Sequence, residues 1–169
     1  MPNIRIQNNY ASDIVQWGNI EWESLYSAFY NNSNLQISAT DVPDLSNVTS
    51  AYAMFQACTN LNSGNFNDWN VSTITNMNTM FYTCYKFNRD ISSWDVSKVT
   101  NMSYMFGYAY DFNQDIGDWD VGAVTNMHAM FSYSSFNQDL TAWDVDLVTN
   151  YSSFGLSSPL TTANYPNFN

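Results

Sequence analysis

The chain has very little positive charge. It carries 4 Lys and Arg residues against 15 Asp and Glu residues, which gives a formal net charge of −11. A surface this anionic repels phosphate backbones and anionic headgroups, so neither nucleic acid nor an anionic membrane surface is expected as a partner. Water, divalent cations and basic partners are favoured instead. The simplest interpretation of the acidity is a solubilising surface.

The chain also lacks the usual marks of membrane insertion and of catalysis. It has no run of about 18 apolar residues, and its first 20 residues show no basic start followed by an apolar stretch, so no secretory signal is visible. Glycine-rich phosphate loops and zinc-ligand spacings are absent as well. The lone histidine, His128, occupies a variable polar position of a repeat and is interpreted as solvated surface. We therefore predict no enzyme activity, no catalytic residue and no dedicated metal site.

Cysteine is scarce, with only Cys58 and Cys84 present. They lie 26 residues apart in the same slot of two consecutive repeat units, and Ala109 and Ser134 fill that slot afterwards. The pattern therefore predicts a small, buried side chain at this position of the repeat. Two free thiols and one disulfide are both open alternatives, and a disulfide would need an oxidising compartment.

What the chain has in abundance is repetition. Residues 112–131, FNQDIGDWDVGAVTNMHAMF, nearly copy residues 87–106, FNRDISSWDVSKVTNMSYMF. The spacings between Trp69, Trp94, Trp119 and Trp143 are 25, 25 and 24 residues, and the step becomes 26 towards the N-terminus. A fixed period of this length is typical of repeat architectures. We predict an N-terminal cap at 1–13, one repeat domain at 14–155 and a C-terminal cap or tail at 156–169.

Each repeat unit contains two apolar patterns. Residues 91–96 follow the spacing apolar-x-x-apolar-x-apolar, which predicts a short strand. Met102, Met105 and Phe106 then follow at i, i+3 and i+4, which predicts a short helical segment capped by Thr100. One such unit cannot bury its own apolar stripe, so units must stack. The sequence therefore predicts a solenoid of about six turns with one parallel sheet.

The repeated aromatic residues are interpreted as the internal ladder of this stack. At about 25 cal/mol per Å², burying one Trp side chain contributes on the order of 4 to 6 kcal/mol as an upper bound. The structural core ladder is predicted to consist of Trp69, Trp94, Trp119, Trp143, Phe81, Phe106 and Phe131.

The unit FNQDIGDWDVGAVTNMHAMF, with the tails FQACTNL, FYTCYKF and FGYAYDF, closely resembles the repeats of BspA-like leucine-rich-repeat surface proteins of bacteria. Those repeats are roughly 25 residues long. The resemblance implies a leucine-rich-repeat-like solenoid. It also implies a non-enzymatic role in adhesion or partner binding at a surface.

Repeated aspartates are the first candidates for a binding surface. They flank the inward residues of each unit and are expected to point outward, where stacked like charges repel. Solvent and salt, Asn and Thr hydrogen bonds, Ca²⁺ or a basic partner must offset that repulsion. The candidate residues are Asp44, Asp90, Asp95, Asp115, Asp118, Asp120, Asp139 and Asp144. The alternative surface is the tyrosine-rich outer side, with Tyr82, Tyr85, Tyr104, Tyr108, Tyr110 and Tyr133.

Two functions remain open on the sequence alone. The first is a recognition or adhesion module that binds a protein or glycan through a repetitive solenoid face. The second is a structural decoration or receptor-binding protein of a virus (phage) particle, with assembly contacts through its caps or edges. Both hypotheses place the chain outside a bacterial cell or on a virion.

Overall fold

The backbone is built mainly from turns, as expected for units rich in Asn, Asp and Ser. The computed structural model describes residues 12–168. Strands β1 (Asp13–Ile14) and β2 (Gln36–Ile37) pair in parallel, with Ile14 opposite Ile37. Beyond one 3-10 helix at Thr162–Asn164, the rest of this range is coil, turns, bends and isolated bridges. The result is a compact, mostly coil molecule around a large buried aromatic core.

The predicted strand at residues 91–96 is wrong. Trp94 donates its backbone N–H to the carbonyl of Ile91 at 3.2 Å, and Val99 donates to Val96 at 2.9 Å, so the segment is a pair of reverse turns. The aspartates explain why turns form here, because Asp90 and Asp95 each accept a hydrogen bond from the backbone N–H two residues further on. Such local bonds compete with extended structure. The apolar spacing was informative about burial and misleading about the backbone.

The predicted helical segment is also wrong, and Thr100 caps no helix. Tyr104 and Tyr108 have left-handed φ angles of 57° and 58°, which an α-helix of L-residues does not accommodate. Alternate N–H groups bond back three residues, as from Met105 to Met102, while those between them bond to the next repeat unit, as from Phe106 to Met130 at 2.9 Å. The segment is thus a series of turns that is hydrogen-bonded to the following unit.

Consecutive repeat units are paired through their Asn and Thr positions. Isolated parallel bridges join Ser50, Asn76, Asn101, Asn126 and Asn150 in sequence. The neighbouring threonines form a second series, because Thr100 donates its N–H to the carbonyl of Thr75 at 2.8 Å, and the same bond recurs along Thr49, Thr75, Thr100, Thr125 and Thr149. The threonines therefore connect units, and it is the Asn101 side chain that accepts the backbone N–H of Ser103 at 3.0 Å.

Beneath these turns lies a core of stacked aromatic rings. The rings of Phe55, Phe81, Phe106 and Phe131 follow one another at centroid distances of 5.6, 5.8 and 5.7 Å. All seven residues of the predicted core ladder are buried, namely Trp69, Trp94, Trp119, Trp143, Phe81, Phe106 and Phe131.

The tryptophans also carry a polar contact. The Nε1–H of Trp94 donates to the carbonyl of Phe66 at 2.7 Å, and the equivalent bonds of Trp119 and Trp143 reach Ile91 and Ile116. A buried indole N–H is costly unless it is bonded. Each of these tryptophans therefore packs in the core and ties its unit to the preceding one.

The two cysteines are free and buried. Their thiols donate to backbone carbonyls of the preceding unit, Cys58 to Phe29 at 3.1 Å and Cys84 to Phe55 at 2.9 Å. Burial raises the pKa of Cys58 to about 12 and that of Cys84 well above its usual value. Of the two alternatives left by the sequence, the structure has the free thiols.

The C-terminal end differs from the central units. Residues 1–11 of the predicted N-terminal cap lie outside the described residues. At the C-terminus, the ring of Phe168 stacks on Tyr151 at 4.2 Å, and Leu140 donates its N–H to the carbonyl of Asn164 at 3.0 Å. The tail thus folds back over the last units.

Candidate recognition surfaces

The eight candidate aspartates form what we call the aspartate face: Asp44, Asp90, Asp95, Asp115, Asp118, Asp120, Asp139 and Asp144. All eight side chains are exposed. The structure brings some of them together, because Asp115 and Asp118 line one shallow depression of about 330 Å³ with Ser92, Ser93 and Ile116. Asp120 and Asp144 likewise flank Gly122, where an added Cβ would lie 3.3 and 3.7 Å from their carboxylate oxygens.

Most of these carboxylates also stabilise their own turns. Asp95 Oδ1 accepts the backbone N–H of Ser97 at 3.1 Å and its hydroxyl at 2.6 Å. Asp139 binds Thr141 in the same way. The corresponding backbone bond recurs at Asp44, Asp90, Asp115, Asp120 and Asp144. One oxygen of each such carboxylate is therefore engaged in holding the backbone.

These hydrogen bonds favour the ionised form. The hydroxyl and then the N–H of Ser97 lower the pKa of Asp95 below its usual value, while at Asp90 and Asp139 the backbone N–H is the larger cause. Asp44 is lowered in the same way, first by the N–H of Ser46. These four carboxylates thus stay anionic at neutral pH.

A metal site on this face gains no direct support. Within residues 12–168, no group of three or more His, Cys, Asp or Glu side chains is arranged so that it could hold a metal ion. Ca²⁺ binding stays a prediction, which a thermal melt with the ion can test.

The second surface is the tyrosine face, made of Tyr82, Tyr85, Tyr104, Tyr108, Tyr110 and Tyr133. Its rings contact one another across repeat units. Tyr85 stacks on Tyr110 at 4.8 Å and Tyr108 on Tyr133 at 4.6 Å, while Tyr82 meets the rings of Tyr104 and Tyr108 edge-on at 5.7 Å. Exposed fractions of 37%, 47% and 40% for Tyr85, Tyr110 and Tyr133 leave much aromatic surface in contact with solvent.

The turns of the backbone create this surface. Tyr104, Tyr108 and Tyr133 all lie at left-handed φ angles of 57° to 58°. The alternating hydrogen bonds of the segment bury Met102, Met105 and Phe106 on one side and leave the tyrosines on the other. Partial burial and then the neighbouring Tyr108, Tyr104 and Tyr85 raise the pKa of Tyr82, so its hydroxyl stays protonated at neutral pH.

His128 is part of the tyrosine side and is half-buried, so its interpretation as solvated surface was wrong in part. Its Nε2 lies 2.7 Å from the hydroxyl of Tyr104, and its Nδ1 lies 2.6 Å from the hydroxyl of Ser152. The Ser152 hydroxyl has one hydrogen, which it donates to Asn150 Oδ1 at 2.8 Å. The arrangement therefore fits the tautomer of His128 that carries its hydrogen on Nδ1, in which Nε2 accepts the Tyr104 hydroxyl hydrogen.

A pocket of about 280 Å³ opens beside this histidine. Its walls include Tyr82, Tyr104, Tyr108, His128 and Tyr133, and Ala129 and Ser132 are among the small residues that line it. Sequence reasoning listed the tyrosines and missed the pocket. The signal available was a departure from repetition, because the positions equivalent to Tyr82 are filled next by Gly107 and then Ser132.

No helix of the described residues 12–168 has the length and apolar character needed to cross a bilayer.

Comparison with known families gives one finding. The family model described as "Mycoplasma protein of unknown function, DUF285" matches residues 49–164, which is well over half of the chain. This match gives no leucine-rich-repeat identification. Neither the curated proteins nor the solved structures yield a significant match.

Proposed function

We propose that this chain, which belongs to the DUF285 family, is a non-enzymatic recognition module that binds a protein or glycan partner at a surface. The observation that carries the proposal is the tyrosine face, where exposed stacked rings adjoin an open pocket. Contiguous exposed aromatic surface on a well-packed frame commonly marks an interaction site. The resemblance of the repeats to BspA-like surface proteins supports the same role and an extracellular or particle-surface location.

We further propose that the repeat units stack as a leucine-rich-repeat-like solenoid. Supporting this are the parallel bridges between Asn76, Asn101 and Asn126 and the rows of rings at 5.6 to 5.8 Å. In a stack of this kind each unit contacts only its neighbours.

Deletions test the stacked architecture. Removing residues 87–111 takes out one whole unit, so a shorter folded chain is expected, whereas removing residues 87–98 should prevent folding because it breaks the register. Circular dichroism and thermal unfolding of both variants give the answer. Equal damage from the two deletions would contradict a linear stack.

Binding to intact cells tests the recognition role. The fluorescently labelled chain is applied to a panel of bacterial and animal cells and counted by flow cytometry. The variant Tyr85→Ala/Tyr110→Ala/Tyr133→Ala is expected to lose at least about nine-tenths of the labelling, since aromatic anchors dominate many interfaces. Labelling of no cell type would contradict the proposal.

A matched variant on the other face decides which surface makes contact. Asp95→Asn/Asp120→Asn/Asp144→Asn removes three charges while keeping each Oδ1 that its turn requires. It is expected to label cells as the unchanged chain does. If this variant loses labelling and the tyrosine variant keeps it, the aspartate face is the contact surface and the partner is basic.

A further inference from the structure

The pocket on the tyrosine face results from small residues at positions that hold tyrosines in earlier units. An added Cβ at Gly107 would lie 2.9 Å from the Tyr82 ring, so that ring rests directly on the Gly107 backbone. In the next unit Ser132 takes the position equivalent to Gly107, and Ala129 takes the position equivalent to Tyr104. No ring continues the row over these two residues, and the pocket of about 280 Å³ lies there.

The walls of the pocket offer aromatic rings. Tyr108 and Tyr133 are nearly parallel, with 10° between their planes, and Tyr82 stands almost perpendicular to Tyr108 at 84°. Tyrosine combines an apolar ring with a hydroxyl that can donate and accept hydrogen bonds. The volume is close to the small end of ligand pockets, which hold about 300 to 1,000 Å³. This size suits a ligand of one ring or two.

The polar groups beside these rings form a chain of hydrogen bonds. Ser152 donates to Asn150. In the tautomer of His128 that fits this bond, Nδ1 donates to Ser152 and Nε2 accepts from Tyr104. The hydrogen of the Tyr104 hydroxyl is engaged in that tautomer, and its oxygen keeps a lone pair that can accept. A ligand that carries hydroxyl donors next to an apolar ring face complements this arrangement.

The residues around the pocket favour a neutral ligand over an ion. Among the described residues that line it there is no Asp, Glu, Lys or Arg. An anion would meet no fixed positive charge in a chain of net charge −11. A cation would find aromatic rings and no lining carboxylate. A neutral ligand needs neither a fixed positive charge nor a carboxylate in the pocket wall.

From these observations we infer that the pocket formed by Tyr82, Tyr104, Tyr108, His128 and Tyr133 binds a neutral pyranose ring of a glycan. The C–H face of the sugar packs on a tyrosine ring, and a sugar hydroxyl donates to the Tyr104 oxygen. This inference rests on the proposed recognition function, and it names the ligand class.

The test uses the full chain and saturation-transfer NMR with glucose, galactose, N-acetylglucosamine and N-acetylgalactosamine as probes. At least one of them is expected to show transfer to its ring C–H protons. Ala129→Tyr should abolish the signal by filling the pocket, and the backbone accepts the change because Ala129 has φ 51° where the equivalent Tyr104 has φ 57°. Thr79→Tyr, at φ 54° in the unit before Tyr104, is the matched control and should leave binding unchanged.

A second variant keeps the test decisive if Ala129→Tyr fails to fold. Tyr133→Ala removes one wall and should weaken binding at least tenfold, whereas Tyr30→Ala, at a ring that is 43% exposed and outside the tyrosine face, should leave it unaltered. The inference is overturned if no sugar gives a signal above that of the pocket variants. It is also overturned if tetramethylammonium binds and the sugars do not, since the site is then an aromatic cage for cations. Cell labelling without sugar binding would overturn this inference alone, and sugar binding without cell labelling would overturn the proposed surface role alone.

Discussion

The aspartate face and the tyrosine face arise from the same repeat and use it differently. On the aspartate face the same contact recurs in unit after unit, a carboxylate that accepts the N–H two residues on, as at Asp95 and Asp120. On the tyrosine face equivalent positions change, from Tyr82 to Gly107 to Ser132, and the contacts reach across units. The residues that recur in every unit therefore stabilise the backbone turns. The positions at which the residue type changes from unit to unit leave open space on the surface.

The first prediction concerns the core that both faces share. Trp94→Ala under the aspartate face and Phe106→Ala under the tyrosine face should each lower the free energy of unfolding by at least about 3 kcal/mol, because both leave large cavities. Denaturant unfolding of the two variants measures this. A variant that melts within a few degrees of the unchanged chain would show that the two faces do not rest on one core.

The second prediction concerns the turns of the aspartate face. Asp95→Ala removes the acceptor of the Ser97 N–H and hydroxyl, so it should cost about 1 kcal/mol. Asp95→Asn keeps an oxygen in place and relieves repulsion, so its stability should equal or slightly exceed that of the unchanged chain. Thermal melts with and without millimolar Ca²⁺ check both. A Ca²⁺-dependent rise that Asp95→Asn abolishes would give this face a ligand role that the tyrosine face lacks.

The sequence anticipated burial better than it anticipated backbone structure. The spacing of Met102, Met105 and Phe106 identified three buried side chains, because side-chain hydrophobicity is a local property of the residues. It did not identify the left-handed turn at Tyr104, because that backbone is stabilised by a hydrogen bond to His128 in the next unit. Contacts between units are invisible when one unit is considered alone.

For the candidate surfaces too, the sequence revealed the residues and did not reveal the contacts between units. The aspartates and tyrosines could be listed from the repeat, because a column of one residue type is visible in the sequence. The link from Tyr104 through His128 to Ser152 could not, since Tyr104 and His128 occupy different columns and the column shared by His128 and Ser152 changes residue type. These side chains meet only when three successive units are placed side by side.

The third prediction uses pH to separate the two faces. The folded-state pKa values of Asp44, Asp90, Asp95 and Asp139 are lowered below 3.8. Their contribution to stability is therefore complete above that value and is lost as the pH falls through the folded pKa values. As the pH falls below about 4, the melting temperature should fall less steeply when all four are changed to Asn. Identical slopes would mean that these turns contribute nothing through ionisation.

The fourth prediction concerns the smallest change in the free energy of unfolding, and it compares an exposed tyrosine with an aspartate that stabilises a turn. Tyr110 is 47% exposed and stacks on Tyr85 at 4.8 Å, outside the pocket. Tyr110→Ala should change the free energy of unfolding by no more than about 0.5 kcal/mol, as exposed positions usually do. A double-mutant cycle with Tyr85→Ala should give a coupling energy of about 0.5 kcal/mol, the lower end for an aromatic pair. Both are measured by denaturant unfolding at neutral pH, with Asp95→Ala as the reference for a residue that stabilises a backbone turn.

If Tyr110→Ala costs as much as Trp94→Ala, the tyrosines are part of the core and are not available for a partner. A cost below that of Asp95→Ala means that the frame does not depend on this ring, which is what a surface available for binding requires.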